Sequence, residues 1–201
     1  MAGRTTLEGK YGVIGVKMLK KITRVLEKNQ IPYILEAGTL LGIVRENRLL
    51  PWDNDVDITI TRQYMKRLQR SLWKVWFLGY IVRVKHYKRD LKYFKRGEIR
   101  IIKIKHVSLW NFFRKDVVVD LFLKKKIGKE YYWTVGIKAP VLKSVPERFY
   151  DHLTQVEFEG KRFSVPEDYI GYLECHYGKD WKIPVKEWDY RTSDLSVREI
   201  L

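Results

Sequence analysis

Cysteine occurs once in this chain of 201 residues, as Cys175, so an intramolecular disulfide and a cysteine-rich zinc site are both excluded. Long apolar runs are also missing. No stretch approaches the roughly eighteen uninterrupted apolar residues of a spanning helix, and Met1 to Lys10 has no apolar signal segment. Taken as complete, the chain is expected to be soluble and cytoplasmic. Neither an internal repeat nor a low-complexity linker interrupts it, which predicts one cooperative unit over residues 1–201, with a core at about 10–125 and a C-terminal lobe at about 138–201.

Acids are the scarce charge. Against 40 Lys and Arg stand 24 Asp and Glu, a formal charge of +16. Such an excess attracts polyanions: nucleic acid, an anionic membrane face or phosphorylated substrates. The alternative is a lysine-rich surface that serves solubility or a hot habitat. The charges are dispersed rather than gathered in one arm, and Lys124, Lys125 and Lys126 form the tightest run.

What is present is the composition of a packed protein, 45% hydrophobic and 14% aromatic. Ile14, Met18, Ile22, Val25 and Leu26 recur at helical spacing and predict an amphipathic helix over Gly12 to Asn29, ended by Gln30 and Pro32. Tyr33 to Leu35 reads as a short strand, Gly38 as a tight turn, and Thr39, Leu40, Ile43 and Val44 as a short helix. Asp55 to Ile60 alternates polar and apolar residues strictly, as a strand does. Arg62 to Phe77 returns to helical spacing and stops at Gly79. Strand-like segments follow at Tyr80 to Val84, Lys92 to Phe94, Ile99 to Ile104 and Val117 to Leu123. A hairpin around Gly160, a helix after Pro166 and an irregular cover from Gly178 to Leu201 complete the reading, which predicts an α/β (α+β) mixed sheet flanked by helices.

Alternation along a strand puts Asp55, Asp57 and Thr59 on one face and Val56, Ile58 and Ile60 on the other. Neighbouring carboxylates repel and raise each other's proton affinity, a cost that a hard divalent cation such as Mg²⁺ or Mn²⁺ relieves. Asp53 has the same parity and can join from the preceding loop. The competing reading of such a cluster is a solvated acidic turn, but here the opposite face of the strand is apolar. Asp120 interrupts the apolar run from Val117 to Leu123, where an unpaired charge is expensive to bury. It either pairs with a lysine or completes a metal site with Asp55 and Asp57. Gly38 and Thr39, at a strand-to-helix turn, offer backbone N–H groups and a hydroxyl to a phosphate. Arg45 either aims a guanidinium at a donor phosphate or pairs with an acid such as Glu36. Trp52 is placed to stack on a base or buttress the acidic loop, although tryptophan at such a site is more often core. His86, His106, His152 and His176 show no metal spacing.

Taken together, Gly38-Thr39-Leu40-Leu41-Gly42, Arg45, and Pro51-Trp52-Asp53-Asn54-Asp55-Val56-Asp57 closely resemble the LicD family, which includes bacterial phosphocholine transferases and fukutin-type domains that transfer an alditol phosphate onto glycans. Val119-Asp120-Leu121, Val165-Pro166-Glu167-Asp168 and Tyr177-Gly178-Lys179-Asp180-Trp181 extend the resemblance over roughly residues 30 to 190. It implies a nucleotidyltransferase-like core and a metal-dependent transfer of a phospho-alcohol from a CDP-linked donor to a glycan or lipid-linked glycan hydroxyl, with CMP leaving. Asp53, Asp55, Asp57 and Asp120 would hold the metal, with Asp55, Asp57 and Asp120 catalytic, and Gly38, Thr39, Arg45 and Trp52 would bind substrate. The implied setting is cell-envelope or glycan modification, with peripheral contact to an anionic membrane and no nucleic acid. The alternatives are a nucleotidyltransferase that consumes an NTP and releases pyrophosphate, and a non-catalytic basic binding module.

Overall fold

The computed structural model describes residues 5–106, 117–185 and 187–201. Helix α1 (Lys10–Lys28) forms because Met18, Leu19, Ile22 and Leu26 line one stripe and are buried, while its lysines cover the opposite face. It ends at Asn29, and Gln30 takes a left-handed conformation with φ 52°. The short strand β1 (Ile34–Leu35) leads into helix α2 (Ala37–Glu46). The residue that turns the chain is Ala37, with φ 42°, rather than the expected Gly38. Asn47, with φ 50°, closes the helix by donating its N–H to the Ile43 carbonyl at 3.1 Å.

Strand β2 (Val56–Thr61), a 3-10 turn over Arg62–Tyr64 and helix α3 (Met65–Phe77) follow as the alternation and helical spacing predict. Next come β3 (Ile81–His86), β4 (Ile99–His106), β5 (Val117–Ile127), β6 (Glu130–Val135) and β7 (Val141–Pro146). Helix α4 (Arg148–Asp151) precedes the hairpin β8 (Leu153–Phe158) and β9 (Lys161–Pro166), and α5 (Tyr169–Tyr177) and β10 (Val197–Ile200) close the chain. Two elements depart from expectation. Lys92 to Phe94 is a tight turn closed by the Leu91–Phe94 bridge, which buries Phe94 and stacks it on Tyr87 with ring centroids 4.7 Å apart. The described part of the tail after Gly178 is irregular only as far as Ser196, because Val197–Ile200 pairs with β7.

Among the described residues, strand β5 organises an eight-stranded mixed sheet. Its first half lies between β2, which is parallel to it, and β4, which is antiparallel; β1 extends the sheet beyond β2 and β3 beyond β4. Its last residues leave this ladder and pair with β6, which continues through β7 to β10. The core lies between this sheet and α1, and Val56, Ile58 and Ile60 are buried in it. Parallel pairing sets Asp57 beside Asp120 and Thr59 beside Phe122. The lysine run is not a surface feature throughout, since Lys124 is wholly buried.

Close packing between α2 and the following loop sets where the acidic segment begins. A Cβ added at Gly42 would lie 2.6 Å from the Arg48 carbonyl oxygen and 3.0 Å from the Leu50 side chain. Gly42→Ala is therefore expected to destabilise the protein by about 1–3 kcal/mol, the usual cost of overpacking, as read by urea unfolding. Unchanged stability would show that this contact is loose.

Candidate active site

The acidic segment is fastened before it reaches the sheet. Leu7 donates its N–H to the Asp53 carbonyl at 2.7 Å, Asp53 donates to the Leu50 carbonyl at 3.1 Å, and the Asp53 carboxylate accepts the Asn54 N–H at 2.9 Å. Gly38 is needed here for space rather than for backbone freedom, because a Cβ on it would overlap the Asp53 carboxylate. Thr39 was expected at a donor phosphate. It is buried instead, and its Oγ1 accepts the Asp57 N–H at 2.8 Å, so it holds the mouth of β2 from behind. Glu36 donates its backbone N–H to the Asp57 carbonyl at 3.1 Å, which fixes the same residue a second time.

From this frame Asp55, Asp57 and Asp120 each present an oxygen, and the three lie within 4.8 Å of one another. Asp53 borders them from the loop. Burial raises all four carboxyls above the usual range. For Asp57 the rise is large, with the neighbouring carboxylates Asp55, Asp53 and Asp120 adding to burial. Asp55 is pushed up to about 7, first by burial and then by Asp120 and Asp53. Asp120 is also ion-paired: Lys103, directly opposite it on β4, meets its Oδ2. The pairing of Asp120 with a lysine is thus present, and the same acid borders Asp55 and Asp57. Its other oxygen, Oδ1, is buried with no hydrogen-bond partner among the described residues. Three converging carboxylates, with one oxygen of Asp120 unpartnered among the described residues, suit a divalent cation bound through oxygen.

Behind the cluster Glu36 is buried in a network of its own. Lys124 Nζ meets Glu36 Oε1 at 2.7 Å and lies 3.4 Å from the Trp133 ring centroid, Tyr150 donates to Oε2 at 3.2 Å, and Thr59 and Tyr172 also donate to this carboxylate. Burial alone would raise Glu36, but Lys124 and His176 outweigh it and hold the carboxyl below its usual range. Burial also pushes Lys124 down to about 8 in spite of Glu36. A second network closes the far side, where Asp194 receives Lys143 at 2.6 Å, the Ser196 N–H at 2.8 Å and His176 Nδ1 at 3.1 Å. His176 Nε2 is buried with no hydrogen-bond partner among the described residues.

These walls enclose a cavity of about 1380 Å³, above the few hundred to about 1,000 Å³ of a single-ligand site. Acids occupy one side, while Arg100, Lys138, Trp52 and Trp188 line other parts of it. Trp52 is exposed rather than core, at 55%. Arg45 borders the cavity too, but it pairs with Glu46 at 2.6 Å, not Glu36, and its Nη1 donates to the Trp181 carbonyl at 3.3 Å. It therefore anchors the tail to α2. Sequence reading did not place Glu36, Lys103, Lys124, His176 or Asp194 around the site. Only Lys103 carried a signal, as a cation interrupting the run Ile101, Ile102, Ile104 in the same way that Asp120 interrupts its own.

The family model described as LicD/FKTN/FKRP, nucleotidyltransferase domain, matches residues 30–168. Human ribitol-5-phosphate transferase FKTN is 28% identical over 183 residues, covering 90% of this chain and 36% of FKTN. The chain thus spans about a third of that relative's length. Lipopolysaccharide cholinephosphotransferase LicD of Haemophilus influenzae is 31% identical over 65 residues, covering 32% of this chain and 23% of LicD. Among solved structures, ANT(2")-Ia in complex with adenylyl-2"-tobramycin is 14% identical, with a TM-score of 0.43 and coverage of 79% of this chain and 76% of that one.

The raised carboxyls make stability depend on pH in a defined direction. In the unfolded chain an aspartate ionises near 3.9, whereas folded Asp55 holds its proton to about 7. Between those values the unfolded chain binds fewer protons, so stability without metal is greatest below the lower value, falls through the window and stays low above it. Asp57→Asn, which removes one repelling charge, should melt at a higher temperature than the parent in chelator at about pH 8, with the gap closing toward about pH 4. A gap independent of pH would contradict the electrostatic description of the cluster.

Proposed function

Because the chain belongs to the LicD/FKTN/FKRP nucleotidyltransferase-domain family, we propose that it is a metal-dependent transferase that moves a phospho-alcohol from a CDP-linked donor to a glycan hydroxyl, releasing CMP. The observation that carries this reading is the buried cluster of Asp55, Asp57 and Asp120 with its orphaned oxygen. A binding module has no reason to hold three acids together at such electrostatic cost.

Asp55, Asp57 and Asp120 would hold Mg²⁺ or Mn²⁺, with Asp53 joining from the loop. A divalent cation so bound neutralises charge on a diphosphate and favours in-line displacement at phosphorus. The chain's own residues supply the rest. Thr39 and Glu36 fix the backbone of Asp57, Gly38 makes room for Asp53, and Lys103 holds Asp120 in one orientation. The exposed Trp52 ring offers a face on which a donor base can stack. Arg100 and Lys138 supply cations to phosphate oxygens across the cavity, and Arg45, through Trp181, keeps the tail closed over it. The acceptor hydroxyl oxygen attacks the distal phosphorus of the donor, the bond from that phosphorus to the CMP oxygen breaks, and the hydroxyl proton passes to Asp120. The size of the cavity supports simultaneous binding of donor and acceptor. The match to FKTN covers far more of this chain than the match to LicD, which favours an alditol phosphate over phosphocholine. Residues 138–201 act in this reading as the lobe that covers the core. Among the described residues no helix is long and apolar enough to cross a membrane. In this reading the acceptor is a glycan or lipid-linked glycan met at the cytoplasmic side.

A panel of CDP-ribitol, CDP-glycerol, CDP-choline, CTP and ATP, offered with glycan acceptors and analysed for CMP and pyrophosphate, tests this function. Metal-dependent CMP release from a CDP-alditol is expected. Asp55→Asn, Asp57→Asn and Asp120→Asn should each reduce it by about a hundredfold or more, the scale of deleting a preorganised electrostatic group, with circular dichroism unchanged. Pyrophosphate release from CTP or ATP would instead establish the nucleotidyltransferase reading, and activity of the Asn variants near the parent's would remove the acids from the mechanism.

A further inference from the structure

Helix α3 buries Leu68, Ser71 and Val75 against the molecule, and its opposite face is divided in two along its length. The first half carries Lys66, Arg67 and Arg70, which with Gln63 and Tyr64 line a shallow cavity of about 430 Å³. The second half carries Trp73, Trp76 and Phe77, exposed at 56%, 63% and 71%. Their rings pack edge-to-face, Trp73 on Phe77 at 5.6 Å and Trp76 on Phe77 at 5.2 Å, and so form one knob rather than scattered side chains. Exposed Leu78 and Ile81 continue it, and Arg83 and Lys85 lie on the same face of β3 as Ile81. From residue 62 to residue 89 the sequence has nine Lys and Arg and no Asp or Glu.

We infer that this face docks on an anionic lipid surface, the rings entering the headgroup and acyl boundary while the cations meet lipid phosphates. The two halves require different things of a partner, and such a surface supplies both within the roughly 16 Å that separate Lys66 from Phe77 along a helix. Exposed Trp and Phe on one part of a basic helix are the marks of an element lying in the membrane interface. A contiguous exposed apolar group of this size is not neutral decoration on a globular protein. A second copy of the chain is a poor occupant, since parallel pairing of this face would oppose like charges and antiparallel pairing would bury the cations against rings with no acid from residue 62 to residue 89 to meet them. A nucleic acid would satisfy the cations and leave the aliphatic Leu78 and Ile81 without a role. The docking face is separate from the acid cluster and stands whether or not the proposed transfer reaction is correct.

Sedimentation of the full chain with vesicles of equal parts phosphatidylglycerol and phosphatidylcholine, against phosphatidylcholine alone, tests the inference. Binding to the anionic vesicles is expected, weakening as salt rises. Each basic side chain near such a surface strengthens association about fivefold, so Lys66→Glu with Arg70→Glu should weaken it by more than tenfold. Trp76→Ser with Phe77→Ser should weaken it about tenfold or more while leaving the salt dependence in place. All four positions are exposed and outside the cavity that holds the acids, so folding and CMP release from soluble substrates should match the parent. Failure of the parent to sediment with anionic vesicles would overturn the inference. So would vesicle binding that the aromatic pair does not alter, or vesicle-free dimerisation that the same pair abolishes.

Discussion

Parallel pairing of β2 with β5 places Asp57 directly beside Asp120 on one face of the sheet, and the surroundings of the site answer to that juxtaposition. Two unit charges about 5 Å apart repel by roughly 3 kcal/mol at an effective dielectric of 20. Asp55 adds a third charge. Three features bear on this: Lys103 from β4 neutralises one oxygen of Asp120, the raised proton affinity of Asp55 and Asp57 keeps the cluster partly protonated, and the other oxygen of Asp120 has no partner among the described residues. The first two hold the carboxylates together in the absence of metal. The third is intelligible if the cluster is built for a cation.

The wall of the cavity is stiffened by charges placed where solvent does not reach. Lys124, buried on the same strand as Asp120, ties Glu36 to Tyr150, and Glu36 in turn binds Tyr172 and Thr59. One carboxylate therefore links β1, β2, β5, α4 and α5. Asp194 does the same for the tail, joining it to α5 through His176 and to β7 through Lys143. Buried ion pairs contribute little net stability, but losing one partner leaves an uncompensated charge, so they constrain geometry strongly. Here the constrained geometry is the relation of the tail, with Trp181 and Trp188, to the acids opposite.

The parts of this arrangement that were legible in the sequence are those governed by local periodicity. The alternation from Asp55 to Ile60 gave β2 and its two faces, the helical stripes gave α1 and α3, and Gly160 marked the β8–β9 turn, where Glu159 and Gly160 have φ 52° and 69°. Asp120 was detectable because an acid inside an apolar strand needs a reason. Other features depend on partners distant in sequence and leave no local trace. Glu36 and Lys124 are 88 residues apart, and nothing at either position distinguishes a buried pair from two surface charges. Val197–Ile200 is short and becomes a strand only because β7 offers an edge. Lys92 to Phe94 carries two aromatic residues of strand-forming type, yet burial of Phe94 against Tyr87 folds it into a turn. Gly38 was recognised as special for a turn, whereas its constraint is the carboxylate packed against it.

The central claim is that a cation completes the acid cluster and displaces the protons that otherwise hold it together. Calorimetric titration of the protein with Mn²⁺ at about pH 6.5, in two buffers of different ionisation enthalpy, measures both binding and protons released. Binding at the cluster should release protons, because ligating carboxylates must be ionised, with the release declining as the pH is raised past 7 and binding lost in Asp57→Asn. Absence of Mn²⁺ binding, or binding without proton release and indifferent to Asp57→Asn, would contradict the account.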